Sequence, residues 1–134
     1  MPKEPPLSIF DLDLLLSPAT GRRKTVCKFV LLRNGTNPVL AFGSVRSFPY
    51  HAHLVNACCT RLNIPAAWVK KPDVVEVLKS DAVVEGGGWL ELDTLRQTMS
   101  FYGKSTAYGG FDTGRLQSIL DEWTAVAGFN ISIS

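Results

Sequence analysis

The chain has 134 residues, of which 46% are hydrophobic and 19% are charged, a length that suits one domain with a buried core but not two ordinary domains. Fourteen basic residues against 12 acidic ones give a formal net charge of +2, and the basic residues form short clusters without interleaved aromatic residues, which disfavours a dedicated nucleic-acid-binding protein. Three cysteines, two of them adjacent, cannot build a disulfide framework.

The first residues are predicted to form a flexible tail. Residues 1–6 contain three prolines and two charges, so they cannot bury enough surface to become ordered. We expect the tail to cover residues 1–8 and a single domain to cover residues 9–134. The tail has no signal-peptide pattern, and the apolar runs of the chain are far shorter than the ~20 residues of a membrane span. We therefore expect a cytoplasmic protein with no transmembrane helix.

Two strands and two helices are predicted in the first half of the domain. Residues 26–32 (VCKFVLL) and 39–45 (VLAFGSV) are rich in β-branched and aromatic residues, with a loop over residues 34–38 between them. Ser47 and the proline that follows at position 49 predict a helix start, and the helix runs from about 50 to 62 with an inward apolar stripe. A second helix is predicted from Pro72, with apolar positions at Val74, Val75, Val77 and Leu78.

The second half of the domain is predicted to contain a short strand, a hairpin, a helix and a last strand. Residues 82–85 form the short strand, and the three glycines that follow favour a turn, with a segment of close backbone approach as the alternative. Residues 89–93 and 97–103 alternate apolar and polar residues around a turn, which is typical of a hairpin. A helix capped by Asp112 or Thr113 and a strand over 129–133 end the chain. These elements predict an α/β fold, a single domain with a mixed β-sheet and helices packed on it.

The two histidines of the chain lie in the first turn of the predicted helix. His51 shares the inward stripe, whereas His53, two residues later, points toward water. The positive end of the helix dipole keeps an imidazole neutral near pH 7, and the free N–H groups there attract an anion. A neutral histidine beside an anion site suits a general base or a nucleophile. The alternative is a histidine that only caps or packs.

A glycine-rich loop is the second candidate for chemistry. Residues 102–112 (YGKSTAYGGFD) combine three glycines with a serine and a threonine between a strand and a helix. Such a loop can turn successive N–H groups inward and cradle a phosphate. An ordinary glycine-rich connection explains the composition equally well.

Four short blocks, which span most of the chain from Val26 onward, together resemble a known family. They are CKFVLLR (27–33), YHAHL (50–54), GGGWL (86–90) and YGKSTAYG (102–109). In this order they are similar to the blocks of the phosphohistidine phosphatase family, also called the Janus or ocnus family.

The resemblance implies a monomeric α/β phosphatase that needs no metal or other cofactor. Its substrates would be phosphohistidine-containing proteins and, in some members, phospholysine. The implied catalytic residue is His51, and Lys28 would help bind the phosphoryl group. The resemblance also implies main-chain N–H donors at Ala52, Ser105, Thr106 and Ala107. His53 has no catalytic counterpart in the family.

The sequence departs from the family pattern at two places. The triple glycine is usually followed by a phosphate-contacting arginine, but here Trp89 follows, and it can supply neither a charge nor a bidentate fork. The segment before Gly86 is also longer, with an extra element over residues 72–80 that implies an altered substrate rim. The alternative function is therefore a catalytically weak or inactive module that binds a phosphorylated side chain or another anion.

Overall fold

The computed structural model describes residues 8–70 and 74–134, which form eight strands and two α-helices. In chain order these elements are β1 (Ser8–Asp11), β2 (Lys24–Asn34), β3 (Asn37–Ser44), α1 (His51–Leu62), β4 (Ala66–Lys70), β5 (Val74–Val77), β6 (Ala82–Asp93), β7 (Thr98–Tyr102), α2 (Thr113–Glu122) and β8 (Asn130–Ile133). Two 3₁₀ turns, Pro18–Thr20 and Thr124–Val126, complete the described structure.

One six-stranded sheet organises the domain, with the strand order β1-β3-β2-β6-β7-β8. The two outermost pairs are parallel and the three inner pairs are antiparallel, so the sheet is mixed. β4 and β5 form a separate two-stranded antiparallel sheet. The predicted α/β fold, a single domain with a mixed sheet and packed helices, is confirmed. In the described residues no helix has both the length and the apolarity that a bilayer crossing requires.

Both faces of the central sheet are buried, which explains the continuous apolar run in β2. Successive strand side chains point to opposite faces, so Phe29 and Leu31 pack on the face that α2 covers, together with Leu116. Val30 and Leu32 belong to the opposite face, which α1 covers. Lys28 shares this α1 face by the same alternation, and the strand thereby directs it toward the start of α1.

The predicted second helix is wrong, because residues 74–77 form β5. Its valines are β-branched and suit a strand, and Val75 pairs with Trp68 of β4, a strand that was not predicted. This hairpin packs on α1, where Val75 is buried. Pro72, the predicted start of the helix, lies outside the described residues.

The predicted turn at residues 86–88 is also wrong, since these glycines lie inside the long strand β6. Main-chain atoms approach each of them closely. A Cβ atom at Gly87 would lie 2.5 Å from the carbonyl oxygen of Phe29, and one at Gly88 would lie 2.6 Å from that of Tyr102. Here the glycines serve close packing between neighbouring strands rather than chain reversal.

Three element boundaries differ from prediction. α1 begins at His51 with Tyr50 as its N-cap, whereas the N–H of Ser47 donates to Ser44 in a preceding turn. The β2–β3 connection is shorter than expected, because Asn37 already begins β3. The predicted tail lies outside the described residues except for Ser8, which begins β1 beside β3. The hairpin β6–β7, the Asp112 cap of α2 and the last strand are confirmed.

Candidate functional site

A cavity of about 410 Å³ lies where the start of α1 meets β2, β6 and the loop after β7. Its lining residues come from five separate parts of the chain, including β5. They are Lys28, Tyr50, His51, Val74, Trp89, Lys104, Thr106 and Ala107. Two lysines and no carboxylate are among these residues, so the charge around the cavity favours an anion.

His51 is the first residue of α1, and its side chain is buried, with 7% of its surface exposed. Its Nε2 atom lies 2.9 Å from the carbonyl oxygen of Gly88. Because a carbonyl oxygen only accepts hydrogen bonds, Nε2 carries the proton in this contact. In the neutral ring Nδ1 is then the basic nitrogen, and within the described part of the chain it has no hydrogen-bond partner.

Burial keeps His51 neutral. It lowers the pKa of the imidazole below the ordinary value of 6.5, and the nearby charge of Lys28 lowers the pKa further, while the hydrogen bond to Gly88 acts in the opposite direction. The first N–H groups of a helix also have no acceptor in the preceding turn. The N–H of Ala52, the second residue of α1, is one of them. His51 therefore combines a free basic nitrogen with a neighbouring N–H donor.

Lys28 stands beside His51 on β2, directly opposite Trp89 of β6. Its Nζ atom donates a hydrogen bond to the carbonyl oxygen of Pro49. The same atom lies 4.9 Å from the ring centre of Trp89 and 5.6 Å from that of Tyr50, which is within cation–π range. Burial lowers the pKa of Lys28. The ammonium group is thus held at the cavity before any ligand binds.

The loop after β7 is closed by its own hydrogen bonds. The N–H of Ser105 donates to Gly109 at 3.1 Å, and the N–H of Gly109 donates back to Ser105 at 2.8 Å. The Ser105 hydroxyl accepts from the N–H of Tyr108, and Gly87 of β6 donates to the Gly109 carbonyl. The phenol of Tyr108 bonds both the N–H and the carbonyl of Val75 in β5. The loop is therefore fixed to both sheets.

The structure brings together most of the residues predicted for the site. Lys28, His51, Thr106 and Ala107 line one cavity. Ser105 does not line it: its side chain is buried, and its N–H is already bonded within the loop. Ser105 accordingly holds the loop in shape, while Thr106 and Ala107 form its exposed tip.

His53 does not reach the cavity, but its predicted position in water needs correction. Its ring is half-buried and lies edge-on between Tyr50 and Trp68, with 5.7 Å between ring centres on each side. Its Nδ1 accepts a hydrogen bond from the N–H of Tyr50 at 3.3 Å. A side chain at the third helical position that reaches back to the N-cap stabilises a helix start. The β4–β5 hairpin, which the sequence did not reveal, provides the Trp68 contact.

Sequence reasoning missed Tyr50, Val74 and Lys104 as cavity residues. Lys104 lies within the glycine-rich motif of residues 102–112, and its positive charge could have indicated it as a site residue. Trp89 was noted for lacking a charge, with packing as a hairpin aromatic as the alternative; its ring in fact contacts both Lys28 and the main chain at Gly103, where a Cβ atom would lie 2.9 Å from the indole. These residues meet through strand pairing and loop closure, which no local pattern encodes.

The fold and cavity define a small mixed-sheet α/β protein with a neutral histidine and two lysines around one cleft. A family model described as the Janus/Ocnus family matches residues 21–127, so the chain belongs to the Janus/Ocnus family. The match includes β2, α1, β6 and the loop after β7. A comparison with curated proteins found no match.

Proposed function

We propose that this protein is a protein histidine phosphatase that hydrolyses the P–N bond of phosphohistidine, with phospholysine as a further substrate. The observation that supports this proposal most strongly is the hydrogen bond of His51. Its Nε2 donates to the carbonyl oxygen of Gly88, which leaves Nδ1 as a neutral base in a cavity with Lys28. The family membership supports the same proposal. The proposed enzyme works as a cytoplasmic monomer on phosphohistidine-containing proteins and uses no metal or cofactor.

The P–N bond of phosphohistidine is labile, so the site needs little polarisation of this bond. It mainly has to neutralise the charge of the phosphoryl group and orient that group toward His51. Lys28 and the N–H groups of Ala52, Thr106 and Ala107 hold the phosphoryl oxygens. The lone pair on Nδ1 of His51 then either attacks phosphorus or takes a proton from the attacking water. If Nδ1 attacks, an Nδ1–P bond forms as the P–N bond of the substrate breaks, and water then hydrolyses the Nδ1–P bond; if water attacks, its oxygen displaces the substrate nitrogen directly. In both routes one water is consumed for each phosphate released, and in the overall reaction this water supplies the proton that the leaving nitrogen gains.

Phosphate release from a phosphohistidine peptide tests the proposal directly. The wild-type protein is expected to accelerate release over the uncatalysed loss, with repeated turnover. The alternative function, an anion-binding module, predicts NMR shift changes at the cavity on adding phosphate but no acceleration. The observation that favours this second function is that Trp89 stands where the family has an arginine. Shift changes at the cavity without any acceleration of release would establish this function over the phosphatase.

The pH dependence of catalysis follows from the lowered pKa of His51. Because the neutral ring is the active form, kcat/KM should rise with pH through the pKa of His51 and then level off. Burial places that pKa below 6.5, so the midpoint of the acid limb is expected below this value. The profile is measured with a phosphohistidine peptide, with the uncatalysed rate subtracted at each pH. A midpoint above 6.5 contradicts a neutral, desolvated base.

Replacing Lys28 by methionine keeps the apolar stem of the side chain but removes its charge. A hydrogen bond to a charged group contributes about 1.5–3 kcal/mol, so kcat/KM should fall about ten- to hundredfold, mainly through KM. Lys28→Arg should recover part of the loss as a cation of different shape. Lys24→Met is the matched control, since Lys24 lies on the same strand and pairs with Glu91 outside the cavity. Equal activities of the two methionine variants would contradict a role of Lys28 in binding the phosphoryl group.

A further inference from the structure

We infer that Lys104 is a second anion-binding residue of the cavity, and that Lys28 and Lys104 together select a phosphoryl group with two negative charges over one with a single charge. This inference rests on the proposed function, and it names the charge state of the substrate. It concerns a residue that neither the sequence analysis nor the family match assigns to the site.

The charged side chains that line the cavity are lysines. Lys104 lines the same cavity as Lys28 and His51, and among the described residues that line it there is no carboxylate. Acidic side chains nearby in the fold are engaged elsewhere: Glu91 pairs with Lys24, and Glu85 lies between Arg33 and Arg115. In the described part of the chain no carboxylate pairs with Lys104. Its ammonium group is available to a ligand.

The main chain on both sides of Lys104 holds this residue at the cavity. Gly103 before it has a φ of +74° and packs against the Trp89 ring. Ser105 after it is 1% exposed and is bonded twice to Gly109. The side chain of Lys104 itself is exposed. A fixed backbone with a free side chain lets Lys104 reach a bound ligand without moving the loop.

The two lysines are therefore differently prepared. Lys28 is already bonded to Pro49 and flanked by Trp89 and Tyr50, so its amino group is held at the cavity before a ligand binds. Lys104 must be ordered by the ligand, which costs side-chain entropy. A ligand with one negative charge is largely satisfied by Lys28 alone. A second negative charge attracts the ammonium group of Lys104, and this attraction offsets the side-chain entropy that Lys104 loses. The difference between the two ligands produces the selectivity.

Binding of two small phosphate esters tests the inference without relying on turnover. Methyl phosphate carries two negative charges at about pH 8, because the second pKa of a phosphate monoester is about 6, and dimethyl phosphate carries one. Affinities are measured by NMR titration at low salt, where charge contacts are least screened. Lys104→Met should weaken methyl phosphate binding about three- to tenfold but dimethyl phosphate binding less than about twofold. Lys24→Met, which also removes one positive charge, should leave both affinities unchanged.

Several results would overturn the inference. These are equal affinities of wild type and Lys104→Met for methyl phosphate, equal losses for the two esters, an equal effect of Lys24→Met, and no binding of methyl phosphate by the wild type. The proposed function fails separately. If the affinity depends on Lys104 but a phosphohistidine peptide is not hydrolysed, the role of Lys104 in anion binding is supported and the phosphatase activity is contradicted. If the peptide is hydrolysed but Lys104→Met changes neither affinity nor KM, only the role of Lys104 falls.

Discussion

Replacing His51 by glutamine is expected to lower kcat/KM for phosphohistidine hydrolysis by about two to four orders of magnitude, the usual contribution of a positioned general base. The glutamine amide can donate to the carbonyl oxygen of Gly88 as Nε2 of the imidazole does. It has no basic lone pair to replace Nδ1. The substitution therefore removes the proposed chemistry while it preserves the buried hydrogen bond. Phosphate release and the thermal unfolding midpoint are measured on the same preparation.

His53→Gln is the matched control for this experiment. The two histidines lie in the same helical turn, but His53 packs between Tyr50 and Trp68 and accepts the N–H of Tyr50. Glutamine at the third helical position can accept the same hydrogen bond, so activity should stay within about twofold of wild type, at a small cost in stability from lost ring contacts. Equal losses in the two variants, or an active His51→Gln protein, would contradict the role of His51.

The sequence revealed those parts of the fold whose pattern is local. The continuous apolar run predicted β2, and the apolar stripe predicted α1. A strand that is buried on both faces is apolar throughout, whereas a helix that is buried on one side repeats its apolar residues every three or four positions. The spacing of the two histidines correctly placed His51 inward. β5 was mistaken for a helix because a four-residue strand with three valines gives too few positions to distinguish the two periods.

The arrangement of the candidate site was less predictable because it depends on register. Lys28 and Trp89 are 61 positions apart but are directly paired between β2 and β6, and only that pairing brings the indole to the ammonium group. Composition indicated the glycine-rich loop, and the resemblance supplied Lys28 and the individual N–H donors as site residues. It could not supply Lys104 or the ring of hydrogen bonds at Ser105, since both depend on how this loop closes.

Gly86→Ala is expected to lower the free energy of unfolding by about 2–5 kcal/mol, the sum of backbone strain and overpacking. Gly86 has a φ of +120°, which an alanine rarely adopts. A Cβ atom there would also overlap the carbonyl oxygen of Gly110, which is main chain and cannot rotate away. Typical small domains are stable by only about 5–15 kcal/mol, so the loss is a large share of the total. Denaturant unfolding at equilibrium measures it.

Two other glycines separate the causes of this loss. Gly21 has a φ of +84° but open space around it, so Gly21→Ala should show the strain alone, about 1 kcal/mol. Gly110 has neither a positive φ nor a close neighbour, the nearest atom being Lys104 Cβ at 3.9 Å, so Gly110→Ala should be nearly neutral. The expected order of destabilisation is thus Gly86, then Gly21, then Gly110. If Gly86→Ala costs no more than Gly21→Ala, the loop after β7 is free to move away from β6, and the close approach that shapes the cavity is not a fixed feature of the fold.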